Sequence, residues 1–201
     1  GQHCSGPGRY YVHEKVYDTF IDQYVAYAQT VAVGNPAARS VTMGPVVSRE
    51  HQAKVEGYIR KGVEEGARLV FGGDKPEALA GGFFVMPTIL ADCTHDMTVA
   101  REEIFGPVAV ILKYTDRDDI VALANDSPFG LCAHVWTRDI ARGMKLVNDL
   151  HVGSVFINCQ MLTNEMPWGT SVKESGIGKE GSLHGMAEFT DLKLVCVNYD
   201  V

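Results

Sequence analysis

Val16, Phe20 and Tyr24 recur every fourth residue within a stretch from His13 to Val33, the spacing of one face of an α-helix. Asn35-Pro36 is expected to end that helix, because proline biases the residue before it away from helical backbone. A second helix is predicted after Ser48 as N-cap, with Val55, Ile59 and Val63 on one face and Gly66 near its end. Short apolar runs then predict strands over residues 68–71, 83–90 and 108–114. Asp116 is expected to cap a helix bearing Ile120, Leu123 and Ala124, which stops at the turn Asn125-Asp126-Ser127-Pro128-Phe129-Gly130. A strand over 131–136, a helix over 138–150 and a strand over 152–157 follow, and a last strand is predicted over 192–198. This alternation predicts an α/β fold, a largely parallel twisted sheet with crossover helices. No repeat, low-complexity segment or linker interrupts it.

Composition bounds the class. With 46% hydrophobic residues, 201 positions can build one sizeable core or at most two small ones. A formal charge of −7 excludes the basic stripe of a nucleic-acid binder. No apolar run is long enough for a membrane span, and no leader precedes the first motif, so a cytoplasmic location is expected. The five cysteines form no C-x-x-C pair, which suits a reducing compartment.

Chemistry enters with Cys4. Cys132 and Cys196 sit inside apolar runs, as core thiols do, whereas Cys4 is framed by glycine and polar residues in Gly1-Gln2-His3-Cys4-Ser5-Gly6-Pro7-Gly8-Arg9. Such surroundings suit an accessible nucleophile. Other patterns carry less. Gly176-Ile177-Gly178-Lys179-Glu180-Gly181 matches G-x-G-x-x-G, but it follows a polar loop rather than a strand and reads as a tight glycine turn. Cys93-Thr94-His95 and Cys132-Ala133-His134 lack a second pair to complete a metal site, so no metal is expected. Asn125-Asp126-Ser127 is formally a glycosylation sequon without any sign of secretion.

Taken together, several motifs acquire specificity. Gly1 to Cys4 with Arg9 comes first, then Glu102-Glu103-Ile104-Phe105-Gly106-Pro107. Asn125-Asp126 with Phe129-Gly130-Leu131 follows, then Pro167-Trp168-Gly169 with Lys173, Ser175-Gly176 and Glu180-Gly181, and finally Phe189-Thr190-Asp191-Leu192-Lys193. In this order they resemble the C-terminal part of the aldehyde dehydrogenase superfamily. Asn158, Met161-Leu162 and Glu165-Met166-Pro167 are most similar to its γ-aminobutyraldehyde dehydrogenase type.

The resemblance implies a catalytic-domain fold over 1–187 with a C-terminal oligomerisation strand over 188–201 in a homodimer or homotetramer. It implies NAD(P)-dependent oxidation of a small aldehyde, including an aminoaldehyde, with NAD or NADP as cofactor. Cys4 matches the thiol that attacks the carbonyl and passes through a hemithioacetal and a thioester. Glu103 matches the glutamate that hydrogen-bonds the nicotinamide ribose, and Phe105 the aromatic residue beside the ring. His3, Ser5, Glu165 and Trp168 match the surroundings of the aldehyde. Thr170 departs from the family, which has glycine there. The family's cofactor-binding domain, water-activating glutamate and oxyanion asparagine lie upstream of the matched cysteine. These residues alone are therefore expected to be inactive and to leave apolar surface uncovered. Two other classes stay open: a cysteine acyl transferase or hydrolase without nicotinamide, and a noncatalytic relative that binds or supports.

Overall fold

The structure is a computed structural model and describes residues 2–74, 79, 81–160, 163 and 165–199. It divides into two compact units, Gly1–Leu123 and Ala124–Val201.

The first unit is built on a sheet of four strands, β1 (Tyr10–His13), β2 (Arg68–Phe71), β3 (Thr88–Cys93) and β4 (Val108–Tyr114), in the order β1-β4-β3-β2. β4 pairs in parallel with both β1 and β3, and β2 closes the other side antiparallel to β3. Helices α1 (Tyr17–Ala28) and α2 (Arg49–Glu64) supply the two cores, and the short α3 (Thr98–Arg101) connects β3 to β4. Alternate residues of a strand face opposite sides, so a sheet covered on both faces sorts its side chains by parity. Leu90, Val108, Val110 and Leu112 join Val55 and Ile59 of α2, whereas Ile89, Ala91, Ala109 and Ile111 join Tyr17, Ile21 and Ala28 of α1. Parity is corrected once. Between Leu90↔Val110 and Cys93↔Leu112 the chain takes three steps on β3 against two on β4. The extra residue is Asp92, at φ +55°, which returns Cys93 to the α2 side.

Helix ends follow local chemistry with some corrections. Ser48 Oγ accepts the His51 N–H at 3.1 Å, and Gly66 takes φ +105° just past α2, both as expected. The buried stripe of α2 runs Gln52, Val55, Ile59, Gly62, and Val63 is exposed, since the position facing Leu90 and Val99 has room only for glycine. α1 is shorter than its predicted range and ends before the β-branched pair Thr30-Val31, well ahead of Asn35-Pro36. Val16 lies outside that helix and is exposed. The strand expected over 83–90 begins only at Thr88, because the Phe83 and Phe84 carbonyls accept from Val46 N–H and the Gln52 amide instead of a ladder. Asp116 caps nothing, for its carboxylate is taken by Lys15 and His13. Asp119 accepts the N–H groups of Val121 and Ala122 and starts α4 (Ile120–Asn125) instead.

In the second unit β5 (Cys132–Val135) and β6 (Ser154–Ile157) form a parallel pair joined by α5 (Ile140–Asp149), with α6 (Ser182–Ala187) further along. Asp139 Oδ1 caps α5 by accepting the Arg142 N–H at 3.0 Å. Gly176, Gly178 and Gly181 have positive φ, and a 3-10 turn at Lys173–Ser175 precedes them, as the reading of a tight turn requires. Residues 191–199 carry no strand, although one is expected over 192–198. No helix among the described residues is long and apolar enough to cross a membrane.

Candidate active site

Cys4 occupies a corner of a tight turn closed by the Gly6 N–H donating to the His3 carbonyl at 2.9 Å. The thiol is exposed, as a nucleophile must be. On either side of it the chain is tied down: Ser5 is buried and its hydroxyl meets His3 Nδ1 at 2.8 Å, and the Gln2 side-chain oxygen accepts the Val47 N–H at 3.1 Å. Val47 immediately precedes Ser48, the N-cap of α2.

The segment from Glu102 to Gly106 leaves α3 and enters β4, and it too is fastened to α2. Ile104 is buried in the α2-side core and pins the middle of the loop. His51 Nε2 meets the Phe105 carbonyl at 2.8 Å, and Lys54 Nζ donates to the Glu103 carbonyl at 3.3 Å. Gly106 lies so close to Val55 that a Cβ there would stand 2.6 Å from Cγ2, which explains the glycine. Phe105 is held at φ +56°, a left-handed backbone that bulky residues rarely adopt. With the backbone committed in this way, the Glu103 carboxylate is exposed and the Phe105 ring half-buried. Glu102 accepts the Tyr58 hydroxyl at 2.7 Å, and that hydrogen bond, with burial second, pushes the Tyr58 phenol up to about 12.

Two of the substrate-side residues lie in the second unit. Glu165 is exposed, and a hydrogen bond from Thr163 holds its carboxyl below the usual range. With Pro167, Ser182, His184, Met186 and Phe189 it lines an open hollow of about 830 Å³. Trp168 is half-buried, its carbonyl accepting the Glu180 N–H at 2.8 Å in an isolated antiparallel bridge. Gly1, Met161, Leu162 and Asn164 lie outside the described residues. Cys132 and His134 share a face of β5 with Sγ and Nε2 3.9 Å apart, as strand alternation requires. No group of three or more candidate metal ligands occurs among the described residues.

A family model described as the aldehyde dehydrogenase family matches residues 1–195. The chain belongs to the aldehyde dehydrogenase family. A betaine aldehyde dehydrogenase of Brucella anthropi is 42% identical over 200 residues, covering 98% of this chain and 41% of that protein. An aldehyde dehydrogenase of Mycobacterium tuberculosis, solved with NAD+, is 40% identical at a TM-score of 0.91 and covers all of this chain and 42% of its own. An NADP-dependent enzyme of E. coli is 38% identical at a TM-score of 0.91 over 98% of this chain and 40% of its own. The chain thus spans about two-fifths of the length of these relatives. His51 and Lys54 went unread in the sequence, where they pass for ordinary solvent-facing residues of an amphipathic helix. No local pattern marks a side chain whose partner is a carbonyl some fifty positions away.

Proposed function

We propose that the protein carrying this chain oxidises a small aldehyde to its acid with NAD or NADP, Cys4 being the nucleophile. One observation supports the reading most: the Cys4 segment is tied to Val47, just before the cap of α2, and the Glu103 to Phe105 segment, far away in sequence, is tied to the first two turns of the same helix. The residues fit a nicotinamide nucleotide in kind. An exposed carboxylate on a fixed loop can accept from ribose hydroxyls, and a half-buried ring beside it offers a flat apolar face. When bound, the nicotinamide accepts the hydride.

Cys4, as thiolate, forms a carbon–sulfur bond to the aldehyde carbon and turns the carbonyl oxygen into an alkoxide. The Cys4 backbone N–H is a donor suited to that developing charge. Once the hydride has left, the carbon is held as a thioester on Cys4, and attack by water breaks the carbon–sulfur bond and frees the acid. Gln2, His3 and Ser5 keep the turn in place throughout. Glu165 supplies a negative charge that would favour an aldehyde bearing a cationic amine. A betaine aldehyde dehydrogenase among the relatives agrees with such a substrate.

The deciding experiment is Cys4→Ser in a full-length enzyme carrying this sequence. Aldehyde-dependent NADH or NADPH formation is expected to fall at least about a thousandfold with cofactor affinity kept, since the covalent step is lost. Activity within tenfold of the parent would overturn the role of Cys4. The 201 residues alone are expected to give no turnover. The tail exposes Phe189, Leu192, Leu194, Val195 and Tyr199, and we infer that it adds as a strand to a second subunit. Sedimentation of the full-length enzyme as a dimer or tetramer is expected, and a stable monomer would refute that.

A further inference from the structure

We propose that His51 is a positioning residue for the cofactor: its imidazole holds the Phe105 peptide in the left-handed conformation that presents Glu103 and Phe105 together. The inference rests on the reading above that these two residues receive the nicotinamide end of the cofactor. A bulky residue at φ +56° carries a backbone cost of the same order as the gain from one hydrogen bond. Something must therefore hold it. The carbonyl of Phe105 can only accept, so the 2.8 Å contact requires the hydrogen on His51 Nε2. The imidazole is itself rigidly placed. Its backbone N–H is bound by the Ser48 cap, and it stands on the first turn of a helix whose Val55 and Ile59 lie in the core.

The other fastenings of the loop cannot replace it. Ile104 fixes a side chain, Lys54 reaches the Glu103 carbonyl at 3.3 Å, and Gly106 is confined by packing against Val55. None of these is a hydrogen bond to the Phe105 carbonyl. Without His51 that carbonyl loses its hydrogen bond and the peptide can relax toward an ordinary extended backbone, which moves the Phe105 ring out of register with the Glu103 carboxylate. The loss is then one of cofactor binding, with the thiol untouched.

The test is a titration of NAD and of NADP, each alone and without aldehyde, by protein fluorescence in a full-length enzyme carrying this sequence. His51→Leu is expected to weaken binding about tenfold, the size of one lost hydrogen bond. His51→Gln, whose amide nitrogen can reach the same carbonyl, is expected to stay within about twofold of the parent. The rate of Cys4 alkylation should be unchanged in both. Normal affinity in His51→Leu, or equal losses in both variants, overturns the positioning role. Glu103→Gln is run beside them: if it binds like the parent, the reading of the loop falls and the positioning role with it. If it loses affinity while His51→Leu does not, only the positioning role falls. Should His51→Leu not fold, His51→Ala decides, with the same loss of about tenfold expected and normal affinity overturning the positioning role.

Discussion

The two units are held together in different ways. In the first, side chains do the holding: Leu90, Val110, Ile111 and Val55 are wholly buried, and two cores flank one sheet. In the second, no apolar side chain among the described residues is fully buried, and main chain lies directly on main chain. The Gly153 N–H donates to the Gly130 carbonyl, which also accepts the Val172 N–H, and Gly130 N–H reaches Ser175 Oγ. Asn125 ties the assembly with three contacts, its amide to the Asp149 carbonyl and His151 N–H and its own carbonyl to Lys173 Nζ. Equal legibility of strands and helices in the two halves therefore does not mean equal sources of stability. Secondary structure follows periodicity, whereas the means of holding it follows what the other face meets.

The sharpest break should come from Gly153→Ala. A Cβ there would stand 1.1 Å from the Thr170 carbonyl oxygen, so the strap must move and the cost should exceed about 4 kcal/mol. Loss of the second unit's urea transition is the expected readout. Both tryptophans of these 201 residues, Trp136 and Trp168, lie in that unit, so indole fluorescence of the 201-residue chain follows it selectively. Leu90→Ala comes next, at about 3 to 4 kcal/mol in the first unit, measured by the urea midpoint in far-ultraviolet circular dichroism. Phe156→Ala, on a half-buried strand where His134 stacks on the ring at 5.0 Å, should cost only about 1 to 2 kcal/mol. Equal costs for the two would erase the contrast. Asn125→Ala should cost about 1 kcal/mol, because the Asp149 carbonyl and the His151 N–H that it releases are exposed and can turn to water.

The smallest effect is expected from acid. Burial pushes the Asp92 carboxyl up, but hydrogen bonds from Arg68 and Tyr17, with the Lys113 charge nearby, outweigh it and leave it lowered. A carboxylate depressed by folding lends stability above its unfolded range and loses it as pH falls through the folded value. Because Asp92 and Arg68 are both partly exposed, the loss should stay below about 1 kcal/mol. Asp92→Asn should flatten the low-pH limb of first-unit stability and leave the tryptophan-reported limb alone.

What the sequence made legible depends on how far local signals agree, not on the unit. α2, with its Ser48 cap, and the strands β2 and β4 were readable because cap, period and turn agreed in each. α3 was not, being a single turn, and neither was β1, which runs into the helical segment without the glycines that bound the equally short β2 on both sides. The first-unit strand read from Phe83 failed for another reason: apolar residues there serve loop contacts, and composition does not distinguish a loop carbonyl from a ladder carbonyl. For the proposed site, Cys4, Glu103 and Phe105 were picked out through ordered motifs, since exposure and polarity around one cysteine specify little. His51 escaped because its partner is backbone, and backbone leaves no letter in the sequence.

The strand order also imposes a schedule. β4, the last of the first unit's strands to be synthesised, lies between β1 and β3, and Tyr10 must wait for Ile111. Until then only the β2 and β3 pair can form a ladder, and α1 has no complete floor to cover. Such pairing across nearly the whole unit is the kind of contact that slows folding to milliseconds or longer, about a thousandfold behind local helices. Halted before Val108, residues 1–107 should thus carry helical signal but no protease resistance of their own, and resistance within this unit should arise abruptly once Tyr114 is free to pair.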